Sequence, residues 1–182
     1  MSEKTYTIKP IALNTNKLKV LIVGNGLIGT RKKVSYESCF AAVTTVDPDA
    51  ERNADYVMYF SDFYERHKEI FMEHHLVIIS TNLSSVNQQV AEICEQCHKL
   101  YNRIDDGGKG MFSDMCSITH DDYVVAASGK NRSPYVARHI ISELKPVLKE
   151  METDIKKISI HSNEAKKMHM PYDALIEKLR KE

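Results

Sequence analysis

Apolar residues in this chain form short runs separated by stretches of helical spacing. Leu18-Lys19-Val20-Leu21-Ile22-Val23 is nearly continuous, β-branched, and stops at Gly24-Asn25-Gly26. That is the pattern of a buried parallel strand entering a tight turn. Residues from about Leu27 to Cys39 have helical composition. Ala42 to Val46 predicts a second strand, ended by the turn Asp47-Pro48-Asp49. Tyr56 to Tyr59 predicts a short third strand. Ser61 or Asp62 can cap a helix running to about Glu73. Leu76 to Ile79 is another buried strand, and Ser84 or Ser85 can cap the helix that follows. On that helix Val86, Val90, Ile93, Cys94 and Cys97 share one face. Leu100 to Ile104 predicts a strand ending at Asp105. Strand and helix alternate throughout, which argues for a parallel sheet with helices on both faces.

The pattern changes from Met111 onward. Tyr123 to Ala127 predicts a strand, and Ser133-Pro134 reads as an N-cap with proline at the first helical position. Val136, Ile140, Ile141, Leu144, Val147 and Leu148 mark one face of that helix, which Pro146 is expected to kink or end. After Lys149 the chain is highly charged, and Pro171 is placed to start a last amphipathic helix with Tyr172, Leu175, Ile176 and Leu179 on one side.

Composition narrows the classes of function. The chain has 182 residues, 42% of them hydrophobic, enough for a folded core. Lys plus Arg (25) balances Asp plus Glu (25), so the basic excess of a nucleic-acid binder is missing. No run is apolar for long enough to span a bilayer, and Met1 to Thr7 has no apolar signal-peptide region. The expectation is a cytoplasmic protein without nucleic-acid or membrane partners. Its four cysteines, Cys39, Cys94, Cys97 and Cys116, are then expected to be reduced.

Gly24-Asn25-Gly26-Leu27-Ile28-Gly29 is a GxGxxG sequence. It follows a predicted strand and opens a predicted helix, the context a dinucleotide fingerprint requires. The first glycine allows the turn, the second lets backbone approach a pyrophosphate, and the third lets helix and strand pack closely. Asp47 lies 18 residues beyond Gly29, at the end of the second strand, where a carboxylate can bind the adenine ribose. It would repel a 2′-phosphate, so NAD is favoured, although Arg52 could soften that preference. A glycine turn without a ligand is the competing reading, and the strand, helix and Asp47 together weigh against it. The expected architecture is α/β. A Rossmann-like parallel-sheet dinucleotide-binding domain over 1–112 is followed by a small α+β region over 113–149 and a short helical C-terminal region over 150–182.

Cys94-Glu95-Gln96-Cys97-His98 matches the CxxCH haem-attachment pattern. Both cysteines fall on the apolar stripe of a helix, so they are read as core residues. A zinc site there would need a fourth ligand, and no second CxxC exists. His74-His75, His161 and His169 are read as scattered histidines, and Met168 and Met170 as packing residues.

Several short motifs, in order, make the sequence resemble the precorrin-2 dehydrogenase / sirohydrochlorin ferrochelatase family, including the N-terminal portion of siroheme synthases. Pro10-Ile11-Ala12-Leu13 resembles the family's leading strand, and Gly29-Thr30-Arg31-Lys32 the start of its first helix. Ser80-Thr81-Asn82 with Val86-Asn87 resembles its Thr-Asn/Asp and Val-Asn pair beside the nicotinamide nucleotide. Tyr101-Asn102-Arg103-Ile104-Asp105 resembles the strand ending in the catalytic Asp. Ala127-Ser128-Gly129, Ser133-Pro134 and Ala137-Arg138 resemble the family's serine-glycine turn and the helix after it. The likeness covers about Pro10 to Leu148.

The resemblance implies NAD-dependent oxidation of precorrin-2 to sirohydrochlorin by a homodimer, with 113–149 as the dimerisation region. It implies cofactor contacts from Gly24, Asn25, Gly26, Leu27, Ile28, Gly29, Asp47, Thr81, Asn82 and Val86. Asp105 becomes the candidate general base, against the alternatives of a loop carboxylate or a helix cap. Asn102, Arg103, Ser128, Lys130, Arg132 and Arg138 become candidates for holding the substrate's acidic side arms. Metal chelation is an added activity of some members, for which Asp105 is the candidate ligand. Departures are concentrated in Asp105-Asp106-Gly107-Gly108-Lys109-Gly110, where the family has prolines and where a looser loop is expected. That loop keeps two alternatives open: a non-catalytic dinucleotide sensor, and a dehydrogenase for another substrate on the same fold.

Overall fold

The computed structural model describes residues 9–129 and 133–181, which fall into two compact units, one within Thr7–Asp114 and one within Met115–Glu182. In the first unit the elements are β1 (Lys19–Val23), α1 (Leu27–Glu37), β2 (Ala42–Asp47), β3 (Tyr56–Val57), α2 (Phe60–Arg66), α3 (Lys68–Glu73), β4 (Leu76–Ile79), α4 (Ser84–Gln96) and β5 (Leu100–Arg103). The strands form one sheet in the order β3-β2-β1-β4-β5, every pairing parallel.

The apolar runs are continuous because both faces of the sheet are covered. In β1, Leu21 and Val23 enter a core cluster with Phe60, Phe63 and Phe71 from α2 and α3 and Val90, Ala91 and Cys94 from α4. Val20 and Ile22 point the other way, into a cluster with Tyr36 of α1. β4 divides likewise, Val77 and Ile79 to the first cluster and Leu76 and Ile78 to the second. Side chains alternate along a strand, so a run apolar at every position must be buried on both sides. Cys94 is fully buried and Cys97 packs against the same cluster, which gives the CxxCH segment a packing role.

The helix expected from Ser61 or Asp62 to Glu73 is two helices. His67, with φ −129° and ψ 37°, breaks the ladder between them, and Tyr59 rather than Ser61 or Asp62 stands at the N-cap, with no side-chain cap bond. Leu83 takes the corresponding place before α4. After β5 the chain folds back: the Met111 and Phe112 amides donate to the Tyr101 carbonyl at 2.8 and 3.3 Å. Gly110 permits this return, since a Cβ there would lie 2.9 Å from the Arg103 backbone nitrogen. The glycine-rich loop is thus tied back to β5 by backbone hydrogen bonds. Asp106 accepts from the Gly108 amide at 3.1 Å and caps a single 3-10 turn, Gly107–Lys109.

The second unit holds an antiparallel pair, β6 (Cys116–Thr119) and β7 (Val124–Ala127). Three helices follow: α5 (Pro134–Glu150), α6 (Glu152–Lys167) and α7 (Tyr172–Leu179). Ser133 and Pro134 open α5 as expected. Pro146 does not end it, and strong helix formers on either side, Glu143-Leu144-Lys145 and Leu148-Lys149-Glu150, continue the helix despite the lost hydrogen bond. α6 falls in the region expected to be helical, 150–182, although no apolar stripe marked its bounds. Glu152 and Asp154 in its first turn and Lys166 and Lys167 in its last oppose the helix dipole favourably.

Candidate dinucleotide site

The chain runs from β1 outward through β2 and β3, then returns to β4 and β5 on the other side of β1. The strand order reverses between β1 and β4, and ligands of open parallel sheets bind in the crevice at that point, beyond the strand carboxyl ends. The glycine turn lies there. Gly24 has φ +94°, and a Cβ on it would lie 2.8 Å from the Ser80 and Thr81 backbone. Only glycine satisfies both the angle and the approach. The Ser80 hydroxyl fastens the turn to the end of β4 by donating to the Gly24 carbonyl at 2.7 Å. A Cβ on Gly29 would lie 1.9 Å from the Gly24 carbonyl oxygen, so the third glycine is required for α1 to leave the turn so closely. α1 begins after Gly26 with no side-chain cap and no acidic residue in its first turn. Its first amides are therefore left for an external acceptor.

Asp47 ends β2 and is only 2% exposed. One carboxylate oxygen accepts from the Asn25 amide at 2.6 Å and from Arg52 Nη1 at 3.2 Å, and the other from the Asp49 amide at 2.9 Å. Three donors leave part of the carboxylate's accepting capacity for a ribose hydroxyl. A cavity of about 150 Å³ opens here, lined among others by Gly24, Asp47, Arg52, Thr81, Asn82 and Val86. Tyr59, Phe60 and Leu83 also line it; no sequence motif marked them. Leu27 and Ile28 are exposed at the start of α1.

Thr81 and Asn87 lock the segment after β4. The Thr81 hydroxyl donates to Asn87 Oδ1 at 2.5 Å, and Asn87 Nδ2 donates to the Thr81 carbonyl at 3.1 Å. Beyond β5, Asp105 is gripped by Arg103: Nε donates to Oδ1 at 3.1 Å and Nη2 to Oδ2 at 2.7 Å. Arg103 Nη1 donates to Gln88 Oε1 at 2.8 Å. Arg103 is 2% exposed, whereas the Asp105 side chain is 26% exposed. The Arg103 hydrogen bonds outweigh burial and, with help from Asn87, hold the Asp105 carboxyl down at about 2. Asp105 is therefore a fixed carboxylate near neutrality.

Of the six candidates for substrate contact, Asn102 and Arg103 are buried on β5, where the Arg103 guanidinium is spent on Asp105 and Gln88. Arg103 spends three of its five donors on these two partners. Ser128 is half-buried and Arg138 exposed, both in the second unit. Lys130 and Arg132 lie outside the described residues. Among the described residues no three His, Cys, Asp or Glu side chains gather as a metal site, and no helix is long and apolar enough to cross a membrane.

A parallel sheet with a glycine turn at its switch point and a carboxylate ending the adjacent strand defines a dinucleotide-binding α/β protein. Residues 11–113 match the family model described as "Putative NAD(P)-binding", and the chain belongs to that NAD(P)-binding family. Curated relatives are siroheme synthases. That of Mannheimia succiniciproducens is 28% identical over 148 residues, 76% of this chain and 30% of the relative. That of Acinetobacter baylyi is 26% identical over 151 residues, 78% of this chain and 32% of the relative. The chain thus spans about a third of the length of these relatives. Among solved structures, one titled "SirC, precorrin-2 dehydrogenase" aligns with a TM-score of 0.56 at 21% identity, covering 76% of this chain and 70% of that one. That likeness establishes the shared fold.

Proposed function

We propose that this protein is a cytoplasmic, homodimeric, NAD-dependent dehydrogenase that oxidises precorrin-2 to sirohydrochlorin. The observation that carries the reading is the placement of the glycine turn, Asp47, the Thr81–Asn87 pair and Asp105 at the carboxyl ends of β1, β2, β4 and β5. In this reading the glycine turn and the α1 amides hold the diphosphate, Asp47 takes the adenine ribose, and Thr81, Asn82 and Val86 bound the cleft. The bound dinucleotide supplies the hydride acceptor. Asp105 supplies a fixed negative charge beside a macrocycle that becomes more positive as hydride leaves. The oxidised macrocycle is then acidic enough to give its proton to a weak base such as this carboxylate. Arg138 and Ser128, with Lys130 and Arg132, remain candidates for the substrate's carboxylate arms, and Asp105 for a metal ligand should the protein also chelate.

The homodimer is supported by α5, where Val136, Ile140, Leu144 and Val147 stand exposed at helical spacing. The test is anaerobic turnover of enzymatically generated precorrin-2 with NAD, following sirohydrochlorin and NADH. Stoichiometric formation of both is expected, and Asp105→Asn should abolish it while leaving NAD binding intact. The bidentate grip on Asp105 favours one second reading, a dinucleotide-binding sensor. In that case turnover is absent and Asp105→Asn changes nothing.

A further inference from the structure

We propose that Arg52 is a diphosphate-binding residue, a side chain that bridges the ribose carboxylate and the phosphates of the bound dinucleotide. The proposal rests on the dinucleotide reading of the cleft and adds to it a residue outside the glycine motif. A Cβ on Gly26 would lie 3.2 Å from Arg52 Nη1. The guanidinium therefore lies against the glycine whose bare backbone admits the diphosphate.

Arg52 is anchored there at three points. Its carbonyl accepts from Asn25 Nδ2 at 2.6 Å, which ties its backbone to the glycine turn itself. Nη1 lies 3.2 Å from Asp47 Oδ2 and Nε lies 3.1 Å from Asp49 Oδ2. Among the described residues Nη2 has no partner, and the side chain remains 42% exposed. A guanidinium offers five N–H donors, so several are available to an anion without loss of the anchors.

Charge gives the arrangement its purpose. Asp47 and Asp49 put two carboxylates at the cleft against one guanidinium, a balance that disfavours a dianionic diphosphate unless the cation faces it. The same balance argues against a 2′-phosphate as the group Arg52 serves. That phosphate would sit on the ribose oxygen that Asp47 receives, close to both carboxylates. A diphosphate over Gly26 instead meets the free edge of the fork and the amides at the start of α1.

The experiment measures binding of adenosine, ADP, NAD and NADP to the full chain, by calorimetry for the nucleotides and ligand-observed NMR for adenosine. Wild type is compared with Arg52→Gln and Arg52→Lys, circular dichroism checking that each is folded. Arg52→Gln should weaken ADP and NAD alike by about 10- to 100-fold and leave adenosine within about threefold. It should also flatten the salt dependence of ADP binding. Arg52→Lys, which keeps the charge and loses the fork, should fall between; it carries the test if the Gln variant does not fold. Equal losses for adenosine and ADP would show that Arg52 only shapes Asp47. A loss confined to NADP would assign it to the 2′-phosphate. Either result, or unchanged ADP binding, overturns the proposal while the dinucleotide reading stands. If the wild type binds neither ADP nor NAD, the dinucleotide reading fails first.

Discussion

Replacing Arg103 with Met removes one side of the grip on Asp105 while roughly keeping the buried volume of the longer side chain. In the native protein the Arg103 hydrogen bonds hold the Asp105 carboxyl at about 2, against an ordinary 3.8. Returning it to the ordinary value corresponds to about 2.5 kcal/mol at 1.36 kcal/mol per tenfold. The carboxylate is partly solvated, with 26% of its side chain exposed, and screening reduces this to about 1–2 kcal/mol. Because the folded carboxyl lies below its unfolded value, its stabilisation is fully present above about pH 4 and is lost as pH falls through about 2. The variant should therefore lose about 1–2 kcal/mol relative to wild type at pH 7 from this source, and the difference should narrow between pH 4 and 2. Urea unfolding at pH 7 and pH 3 measures the stability. The ¹³Cγ shift of Asp105 measures the titration, whose midpoint should rise from about 2 to near 4. A midpoint still below 3 in the variant would show that Arg103 is not what holds the carboxyl down. Asp105 would then remain a carboxylate held down by Asn87 and the backbone instead.

Three other outcomes follow from the geometry. Gly29→Ala places a Cβ 1.9 Å from the Gly24 carbonyl oxygen and should cost about 3 kcal/mol or more; a variant with an unchanged thermal midpoint would refute the packing argument. Cys94 is fully buried, and burial pushes its thiol up to about 12. A chromogenic disulfide reagent should therefore modify exposed Cys39 quickly and Cys94 only on unfolding, and a single common rate for all the thiols would contradict this. Ile140→Asp on the exposed face of α5 should convert a dimer to a monomer in sedimentation at micromolar concentration; an unchanged sedimentation coefficient would remove α5 from the interface.

The parallel sheet was legible because burial on both faces leaves β-branched runs such as Val20 to Val23 with no polar interruption. The glycine turn and Asp47 were legible because backbone approach restricts residue type at fixed spacing. The break at His67 was not, since a single non-helical backbone angle leaves the apolar pattern of α2 and α3 intact. β6 was missed because a four-residue strand with alternate residues exposed leaves only a faint alternation. The Arg103–Asp105 pair could have been read, since residues two apart at a strand end share a face. From the sequence, Arg103 is only a candidate for substrate contact. Arg52 was marked only as a modifier of Asp47, because its contact with Gly26 spans 26 positions and arises only when β1 and β2 lie side by side.

The return of the chain onto Tyr101 also bears on the exposed edge of the sheet. β5 is the outermost strand on its side of the sheet, and an uncovered edge is a template for another chain's backbone. The Met111 and Phe112 amides occupy the outward-facing Tyr101 carbonyl, so the loop that carries Asp105 and Asp106 also guards that edge. Substitutions that loosen the loop would then be felt as lost solubility as well as lost chemistry. Gly110, whose Cβ would strike β5, is the position where the two losses should coincide.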